Sequence, residues 1–411
     1  LILVIKGIIK QLKFNHIHRL VVLFMANITV GLIPSPDMPH KIINKIYTDL
    51  PNEIRHYTGG NDEWHIEKHI ASIVGTAEHM DKAMDITTNM KKQKAWDYAI
   101  CITDLPTLSN NKTVVCDIDL TNNIALISLP ALGAINLKQK LRNFISFVIQ
   151  YMHSNGSDNN LLNSQHFKLT KFTTVTPNEE DKNKNHLRII STSTFIGWLH
   201  LISGMTFANE PWSTIFDFKK IISVSFATGT YISIFSTPWD ISLDYDYWRF
   251  ILLMFMSIFG MVGWLIYSYN LWERKNPKTQ KLYRYIYNFT TLTTLTVITL
   301  FNFITLFLLL TISTLLFVPP ELFSNWTSLG SKQPTLINYI NLIWFITSLG
   351  ILAGAMGSTV ENDDKIKRAT YSFRQYYRNK QLEQENDADY NNDEESNDYA
   401  GRKQTHREEE E

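Results

Sequence analysis

The chain has 411 residues, and its 39 lysines and arginines balance its 39 aspartates and glutamates, so the formal net charge is zero. Hydrophobic residues make up 45 % of the chain and charged residues 19 %, which excludes a collagen-like or wholly disordered protein. No basic stripe interleaved with aromatic residues is present, so we expect no nucleic-acid partner. Two cysteines, Cys101 and Cys116, are too few for a disulfide framework or a four-cysteine zinc site, and we expect both to be reduced and buried.

The charges are distributed unevenly along the chain. Residues 1–24 carry a net charge of +4, residues 381–411 carry −9, and the remainder carries +5. The first segment opens with an apolar run and has Arg19 between two apolar patches, which is the wrong order for a secretory signal. We therefore interpret residues 1–24 as translated upstream sequence before a true start at Met25. The acidic segment 381–411 is predicted to be disordered.

Residues 25–153 alternate between strand and helix patterns, which predicts a cytosolic α/β domain. The turn Thr121-Asn122-Asn123 between two strand patterns predicts a hairpin, and therefore a mixed sheet. Residues 154–186 are rich in polar residues and are interpreted as a linker with a short strand within 167–175. The predicted elements are strands at 27–33, 63–71, 97–102, 113–120 and 124–129, and helices at 38–50, 78–95 and 137–152.

Residues 187–212 contain an ambiguous apolar segment. Its core, 189–208, has no formal charge but includes His200 and many serines and threonines. We interpret 187–212 as an amphipathic helix at the inner membrane interface, with a fifth span as the alternative.

Four segments between residues 213 and 358 are long and apolar enough to cross a membrane. None contains Asp, Glu, Lys, Arg or His, whereas a soluble helix of this length would carry a polar face. The sequence therefore predicts a C-terminal four-helix transmembrane bundle, with the lipid bilayer as its partner. The segments are residues 221–239, 250–269, 292–318 and 336–356.

The residues that flank these segments predict an orientation. The second and fourth spans are followed by basic runs, at 274–284 and in the juxtamembrane segment 359–380, whereas the loop 240–248 after the first span is acidic. The positive-inside rule assigns the basic side to the cytoplasm. We therefore expect a multi-pass plasma-membrane protein with both termini in the cytoplasm.

Small residues in the second and fourth spans predict close helix packing. A glycine every fourth residue lets another backbone approach one helix face. We favour packing within one chain, and a homo-oligomer contact is the alternative. The candidate packing residues are Gly350, Gly354 and Gly357 in the fourth span and Gly260 and Gly263 in the second.

Two asparagines lie near or within the third and fourth spans. Asn302 and Asn341 are expected to hydrogen-bond across the bundle. Because no carboxylate, histidine or base lies within a span, the sequence argues against a proton-coupled transporter. Transport of a neutral or lipid solute is left as an alternative.

Three aspartates form the candidate catalytic cluster. Asp104 follows a predicted strand, where open α/β sheets bind ligands, and Asp117 and Asp119 share one face of the next strand. Their oxygens are of the type that holds Mg²⁺. Ordinary turn and edge positions are the favoured explanation.

A second cluster, His65, Glu67 and His69, is a candidate metal site. On a strand these three side chains share one face, although the order is not that of a zinc protease. A solvated strand face is the favoured explanation. No dinucleotide, phosphate-loop, hydrolase or kinase motif is present, so no cofactor can be identified.

Several phrases resemble an uncharacterised family of Gram-positive bacterial membrane proteins, found in lactobacilli and actinobacteria. They are WDYAICITDLP (96–106), IALISLPALGA (124–134), GMTFANEPW (204–212) and GILAGAMGSTVENDDKIKRATY (350–371). The resemblance covers residues 26–378 and implies a cytosolic α/β domain with C-terminal spans. It implies no activity.

The leading hypothesis is a membrane protein whose cytosolic domain senses or scaffolds by binding an unknown protein or small ligand. A membrane-tethered enzyme that uses the three aspartates is the second hypothesis, and the transporter is the third.

Overall fold

The computed structural model describes residues 27–59, 62–71, 80–109, 111–155, 172–175, 186–213, 218–274, 281–357, 366–367 and 370. The chain divides into two compact units between Gly204 and Met205. The predicted upstream segment 1–24 and acidic tail 381–411 lie outside the described residues, as does nearly all of the juxtamembrane segment 359–380.

The N-terminal unit is a mixed α/β domain, which confirms that part of the predicted fold class. Helix α5 (Thr194–Ala208) comes next in the sequence, and the division between the units falls within it. The elements are β1 (Asn27–Pro34), α1 (Met38–Ile46), α2 (Leu50–Thr58), β2 (Glu63–Lys68), α3 (Met80–Lys94), β3 (Tyr98–Thr103), β4 (Leu108–Ser109), β5 (Lys112–Asp119), β6 (Ile124–Ser128), α4 (Leu137–His153), β7 (Phe172–Val175) and β8 (His186–Ser191).

The strands form one sheet in the order β2-β1-β3-β6-β5-β8-β7, and β4 pairs with β5. Strands β2, β1, β3 and β6 are parallel, whereas β5, β8 and β7 each run antiparallel to the preceding strand in that order. The predicted hairpin is confirmed, since β5 and β6 pair antiparallel across residues 120–123.

Helices cover the sheet in two groups. Helices α1 and α2 connect β1 to β2, and α4 packs against both helices. Helix α3 packs on β3 and β6. Because α3 leads from β2 back across β1 to β3, the right-handed crossover rule places it on the opposite face from α1 and α2. Its core cluster contains Ile33, Ala83, Met84, Trp96, Ala99, Cys101, Ile124 and Leu126.

Three predicted boundaries differ from the structure. The helix expected over 38–50 is two helices, because the chain turns after Ile46 and Pro51 stands in the first turn of α2. The helix expected over 187–212 begins at Thr194, since residues up to Ser191 belong to strand β8, and it ends at Ala208. The sheet continues past residue 153, because β7 and β8 join it from within the predicted linker and beyond.

The C-terminal unit is helical. Three of its described helices, α8, α9 and α11, are long and apolar enough to cross a membrane. Its core is formed by buried side chains such as Leu306, Leu310, Leu342 and Ile346. The helices are α6 (Lys219–Ser233), α7 (Ser236–Asp244), α8 (Tyr247–Ser268), α9 (Lys281–Phe317), α10 (Pro320–Asn325) and α11 (Leu336–Gly357).

The first predicted span, 221–239, is not one continuous helix. Helix α6 has 15 residues, which gives a length of about 22 Å against a hydrocarbon thickness of about 30 Å. The helix is interrupted at residues 234 and 235, between α6 and α7. Pro238, in the first turn of α7, has no N–H with which to continue the hydrogen bonds of α6. The buried indole of Trp239 donates a hydrogen bond of 2.8 Å to the carbonyl of Ser233, which satisfies the end of α6. The four-span bundle therefore stays a prediction.

Candidate functional site

The order of the parallel strands places a topological switch point at the carboxyl ends of β1 and β3. From β1 the chain passes to β2 on one side and then returns to β3 on the other, so β1 and β3 flank a topological switch point. Ligands of open α/β sheets bind outside the carboxyl ends of the strands at such a point. We call the region at these carboxyl ends, which contains Ser35, Asp37 and Asp104, the switch-point crevice.

Hydrogen bonds join the carboxyl ends of β1, β3 and β6 beside the switch-point crevice. The backbone N–H of Ser35 donates to the carbonyl of Ile102 at 2.8 Å, which brings the ends of β1 and β3 side by side. The hydroxyl of Ser128, at the end of β6, donates to the carbonyl of Leu105 at 2.8 Å. Asp104 directly follows β3 and is only 1 % exposed. The structure thus places Asp104 at a strand end, as its sequence context predicts.

Sequence reasoning missed Asp37. It stands between β1 and α1, is exposed, and has φ of +69°, a backbone conformation that non-glycine residues rarely adopt. The N-terminus of α1, with its partial positive charge, begins at the next residue. The run Pro34-Ser35-Pro36-Asp37 indicates a turn after a strand. Recognising it as part of a ligand-binding region requires the strand order, which places β3 beside β1.

The predicted carboxylate cluster does not form one site. Thr103, just before Asp104, pairs with Ser128 of β6, whereas Asp119 pairs with Ile124 at the other end of that strand. At about 3.3 Å per residue these two levels are about 13 Å apart along the strand. Asp104 and Asp119 therefore lie beside opposite ends of strand β6.

Asp119 has a structural role in the β5–β6 turn. One carboxylate oxygen accepts the backbone N–H groups of Thr121 and Asn122 at 2.8 and 3.3 Å. The other accepts the side-chain amide of Asn122 at 2.7 Å. This is a side-chain-stabilised turn of the kind that favours aspartate.

Asp117 lies at the centre of a buried ion cluster that the sequence did not reveal. It is 2 % exposed, and two side chains of β8 bind it. Nε2 of His186 lies 2.7 Å from Oδ1. Arg188 donates from Nη2 and Nε to Oδ2 at 2.7 and 3.1 Å, and from Nη1 to the hydroxyl of Ser109 at 3.4 Å. Because buried charges need partners, this cluster explains how strand β5 tolerates a carboxylate.

The cluster shifts the pKa of two of its members. Burial alone would raise the pKa of Asp117, but the hydrogen bonds from His186 and Arg188 outweigh it and lower that pKa. The hydrogen bond to Asp117 raises the pKa of His186, against the opposing effect of burial and the nearby Arg188. Both shifts favour the ionised pair. A carboxylate that orients an imidazole is also the arrangement used in general acid–base catalysis.

The candidate metal ligands do not come together. His65 and Glu67 lie on the exposed face of β2, and His69 follows the strand. The Glu67 carboxylate accepts the indole N–H of Trp96 at 2.7 Å, and the Trp96 ring occupies the space where a side chain on Gly31 would stand. In the described parts of the chain no group of three or more His, Cys, Asp or Glu is placed to hold a metal ion.

The two cysteines are free and buried. Burial raises the pKa of the Cys101 and Cys116 thiols. Neither thiol is therefore expected to be reactive in the folded protein.

The glycines of α11 face α6. Cβ atoms on Gly354 and Gly357 would collide with Ser225 and Val224, and one on Gly350 would lie 3.0 Å from the carbonyl oxygen of Ser225. The glycines proposed as their partners behave differently. A Cβ on Gly260 would lie 3.1 Å from Leu352 of α11, whereas one on Gly263 would have no described atom within 4 Å.

Asn302 does not make the expected hydrogen bond across the helices. It is buried in α9, and neither polar atom of its amide has a partner among the described residues. A different asparagine makes such a bond. The amide of Asn209, just after α5, donates to the hydroxyl of Thr294 in α9 at 3.0 Å.

The three long helices expose large apolar side chains, along the whole of α8, mainly after residue 300 in α9, and at the two ends of α11. Contiguous apolar patches of this extent are uncommon on soluble monomers and mark a surface that contacts another apolar phase. Examples are Phe255, Phe259, Leu308, Ile312, Leu316 and Ile340.

Comparison with protein-family models, with curated proteins and with solved structures finds no match to this chain.

Proposed function

We propose that this chain is an integral membrane protein whose α/β domain lies in the cytosol and binds a small ligand or protein at the switch-point crevice. The observation that carries the membrane assignment is the outward-facing apolar surface of α8, α9 and α11. Bilayer thickness also fits, because the 22 residues of α8 and of α11 give a length of about 33 Å each.

The proposed orientation has both termini in the cytoplasm and four crossings. Five basic residues between Arg274 and Arg284 and a second basic run after α11 support this orientation. The resemblance of residues 96–106 and 350–371 to membrane proteins of Gram-positive bacteria supports the plasma membrane as the compartment. In this arrangement α6 and α7 together make the first crossing.

The orientation is tested by cysteine labelling with a membrane-impermeant maleimide in intact cells. We expect Asp244→Cys to be labelled from outside and Lys278→Cys only after permeabilisation. The native Cys101 and Cys116 are buried, so the unsubstituted chain is a low-background control. The reverse pattern would overturn the orientation, and release of the chain by alkaline carbonate would overturn the membrane assignment itself.

Ligand binding is proposed for the switch-point crevice because two aspartates and a buried serine follow the carboxyl ends of neighbouring strands. Carboxylates suit a ligand with hydroxyl or ammonium donors, or Mg²⁺. Thermal unfolding of the purified chain with MgCl₂, sugars, amino acids and nucleosides tests this. At least one should raise the Tm of the native chain but not that of Asp104→Asn, while Asp119→Asn serves as the control. An equal shift in all three proteins would place binding elsewhere, and no shift with any of these compounds would count against the crevice.

The enzyme hypothesis based on Asp104, Asp117 and Asp119 has lost its geometric support. The three carboxylates lie in a crevice, an ion cluster and a turn respectively. We therefore favour binding over catalysis as the role of this domain.

A further inference from the structure

A groove lies between the segment that follows α8 and the first turns of α9. Its cavity volume is about 290 Å³. It combines one cation, one acid, one amide and three aromatic rings. The lining residues are Trp272, Glu273, Arg284, Tyr285, Asn288 and Phe289.

Asn288 fixes the shape of this groove. The side chain of Asn288 is buried, and its Oδ1 accepts the backbone N–H of Glu273 at 2.8 Å while its Nδ2 donates to the carbonyl of Glu273 at 3.4 Å. These two bonds attach the segment after α8 to α9. The backbone at the base of the groove is therefore fixed by Asn288, and the side chains of Trp272, Arg284, Tyr285 and Phe289 form its walls.

The groove lies at the depth of a membrane interface. Helix α9 has 37 residues, or about 55 Å, which exceeds the hydrocarbon thickness of about 30 Å. The part of α9 that is predicted to span the membrane begins at Leu292, three residues after Phe289. Trp272, Tyr285 and Phe289 are each about half exposed, as aromatic residues are in interfacial belts.

The stretch of sequence that contains the groove is basic. Residues 270–291 contain five basic residues and a single acid, Glu273. The Arg284 guanidinium lies 5.5 Å from the centre of the Tyr285 ring, which positions a planar donor beside the groove. Arginine in this geometry recognises a phosphate group, and clustered bases beside a span attract anionic lipids.

We propose that this groove binds the phosphate headgroup of an anionic membrane phospholipid, with Arg284 as the phosphate ligand and the aromatic side chains in contact with the glycerol and the first acyl carbons. Trp272, Tyr285 and Phe289 provide the apolar wall that a free phosphate would not need. This inference rests on the proposed membrane location of α8 and α9.

The test is native mass spectrometry of the purified full-length chain in detergent, titrated with phosphatidylglycerol or phosphatidylcholine. We expect Arg284→Gln to weaken binding of the first phosphatidylglycerol about tenfold, as expected for one charge-assisted hydrogen bond. Binding of phosphatidylcholine should weaken less, because its choline group already neutralises the phosphate. Arg249→Gln is the matched control, because Arg249 lies at the other end of α8 and also stacks on a tyrosine, 5.4 Å from the centre of the Tyr245 ring.

Two results would overturn the inference. Equal effects of Arg284→Gln and Arg249→Gln would show that the lipid responds to total charge and not to the groove. Arg284-dependent binding of soluble glycerol 3-phosphate at the same affinity would assign the site to a free phosphate ester. Failure of the membrane assignment is recognised separately, since the chain would then be released from membranes by alkaline carbonate.

Discussion

Nε2 of His186 lies 2.7 Å from Oδ1 of Asp117, although 69 positions separate the two residues in the sequence. The contact joins neighbouring antiparallel strands, β8 and β5, inside the α/β domain. Arg188 binds the other oxygen of the same carboxylate. One buried aspartate thus links β8, the last described strand in the chain order, to its neighbour β5 in the sheet.

Replacing Asp117 by asparagine should destabilise the sheet strongly. The change leaves the guanidinium of Arg188 without its carboxylate. Because the Arg188 side chain is partly exposed to solvent, we expect a cost of about 1.5–3 kcal/mol, as for loss of a hydrogen bond to a charged group. Hydrogen exchange of β5 and β8 peptides, measured by mass spectrometry, should show faster exchange in both strands. Asp119→Asn is the control, and we expect it to cost less than about 1 kcal/mol because an asparagine oxygen can still accept the turn's N–H groups. Comparable effects of the two substitutions would contradict the role given to the ion cluster.

The stability of the α/β domain should fall as the pH rises from about 6.5. The folded-state pKa of His186 is raised, so its contribution is complete below the unfolded-state value and is lost as the pH passes through the folded-state value. Asp117 acts in the opposite direction, because its pKa is lowered and its contribution is lost only in stronger acid. Thermal unfolding followed by fluorescence across this range measures the slope. In the variant His186→Gln, the Tm should fall less steeply as the pH rises above about 6.5. An unchanged dependence of Tm on pH in that variant would count against a stabilising contact between His186 and Asp117.

Asn302→Leu should stabilise the helical unit. A buried amide without partners costs about 1–3 kcal/mol, and leucine has a similar volume without polar atoms. The matched change, Asn209→Leu, should destabilise the same unit because it removes the hydrogen bond to Thr294. Thermal unfolding in one detergent compares the two variants. If both lowered the Tm equally, Asn302 would have a partner of comparable value.

Gly354→Ala should destabilise the packing of α11 on α6, whereas Gly263→Ala should be neutral or stabilising by up to about 1 kcal/mol, since alanine favours a helix over glycine. A methyl group on Gly354 would collide with Ser225, but at Gly263 it meets open space among the described residues. The Tm of each variant in detergent measures the difference. Equal tolerance at both positions would show that α6 does not depend on this close approach.

Local patterns predicted much of the α/β domain. The apolar run 97–102 followed by Thr103-Asp104-Leu105-Pro106 indicates a buried strand and its end, and Asp104 lies at that position. Turn chemistry at residues 121–123 predicted the β5–β6 hairpin. These features depend on neighbours within a few residues, so the sequence alone contains them.

Long-range pairing was not predictable from the same patterns. His186 and Arg188 gave no local signal for binding Asp117, because their meaning depends on the register of β8 against β5. The charge-free segment 221–239 suggested a single span, since hydropathy averages over Pro238 and does not register a two-residue interruption. The glycines of α11 indicated a close approach, but identifying α6 as the neighbour required the packing itself.

The long helices differ in length, and this difference has a mechanical consequence in a bilayer. The apolar part of α9, from Leu292 to Phe317, measures about 39 Å, which exceeds a hydrocarbon layer of about 30 Å. The 22-residue helices α8 and α11 measure about 33 Å and nearly match the same layer. A thinner membrane would therefore increase the mismatch most for α9, so the thickness of the lipid acts above all on the helix that follows the basic segment.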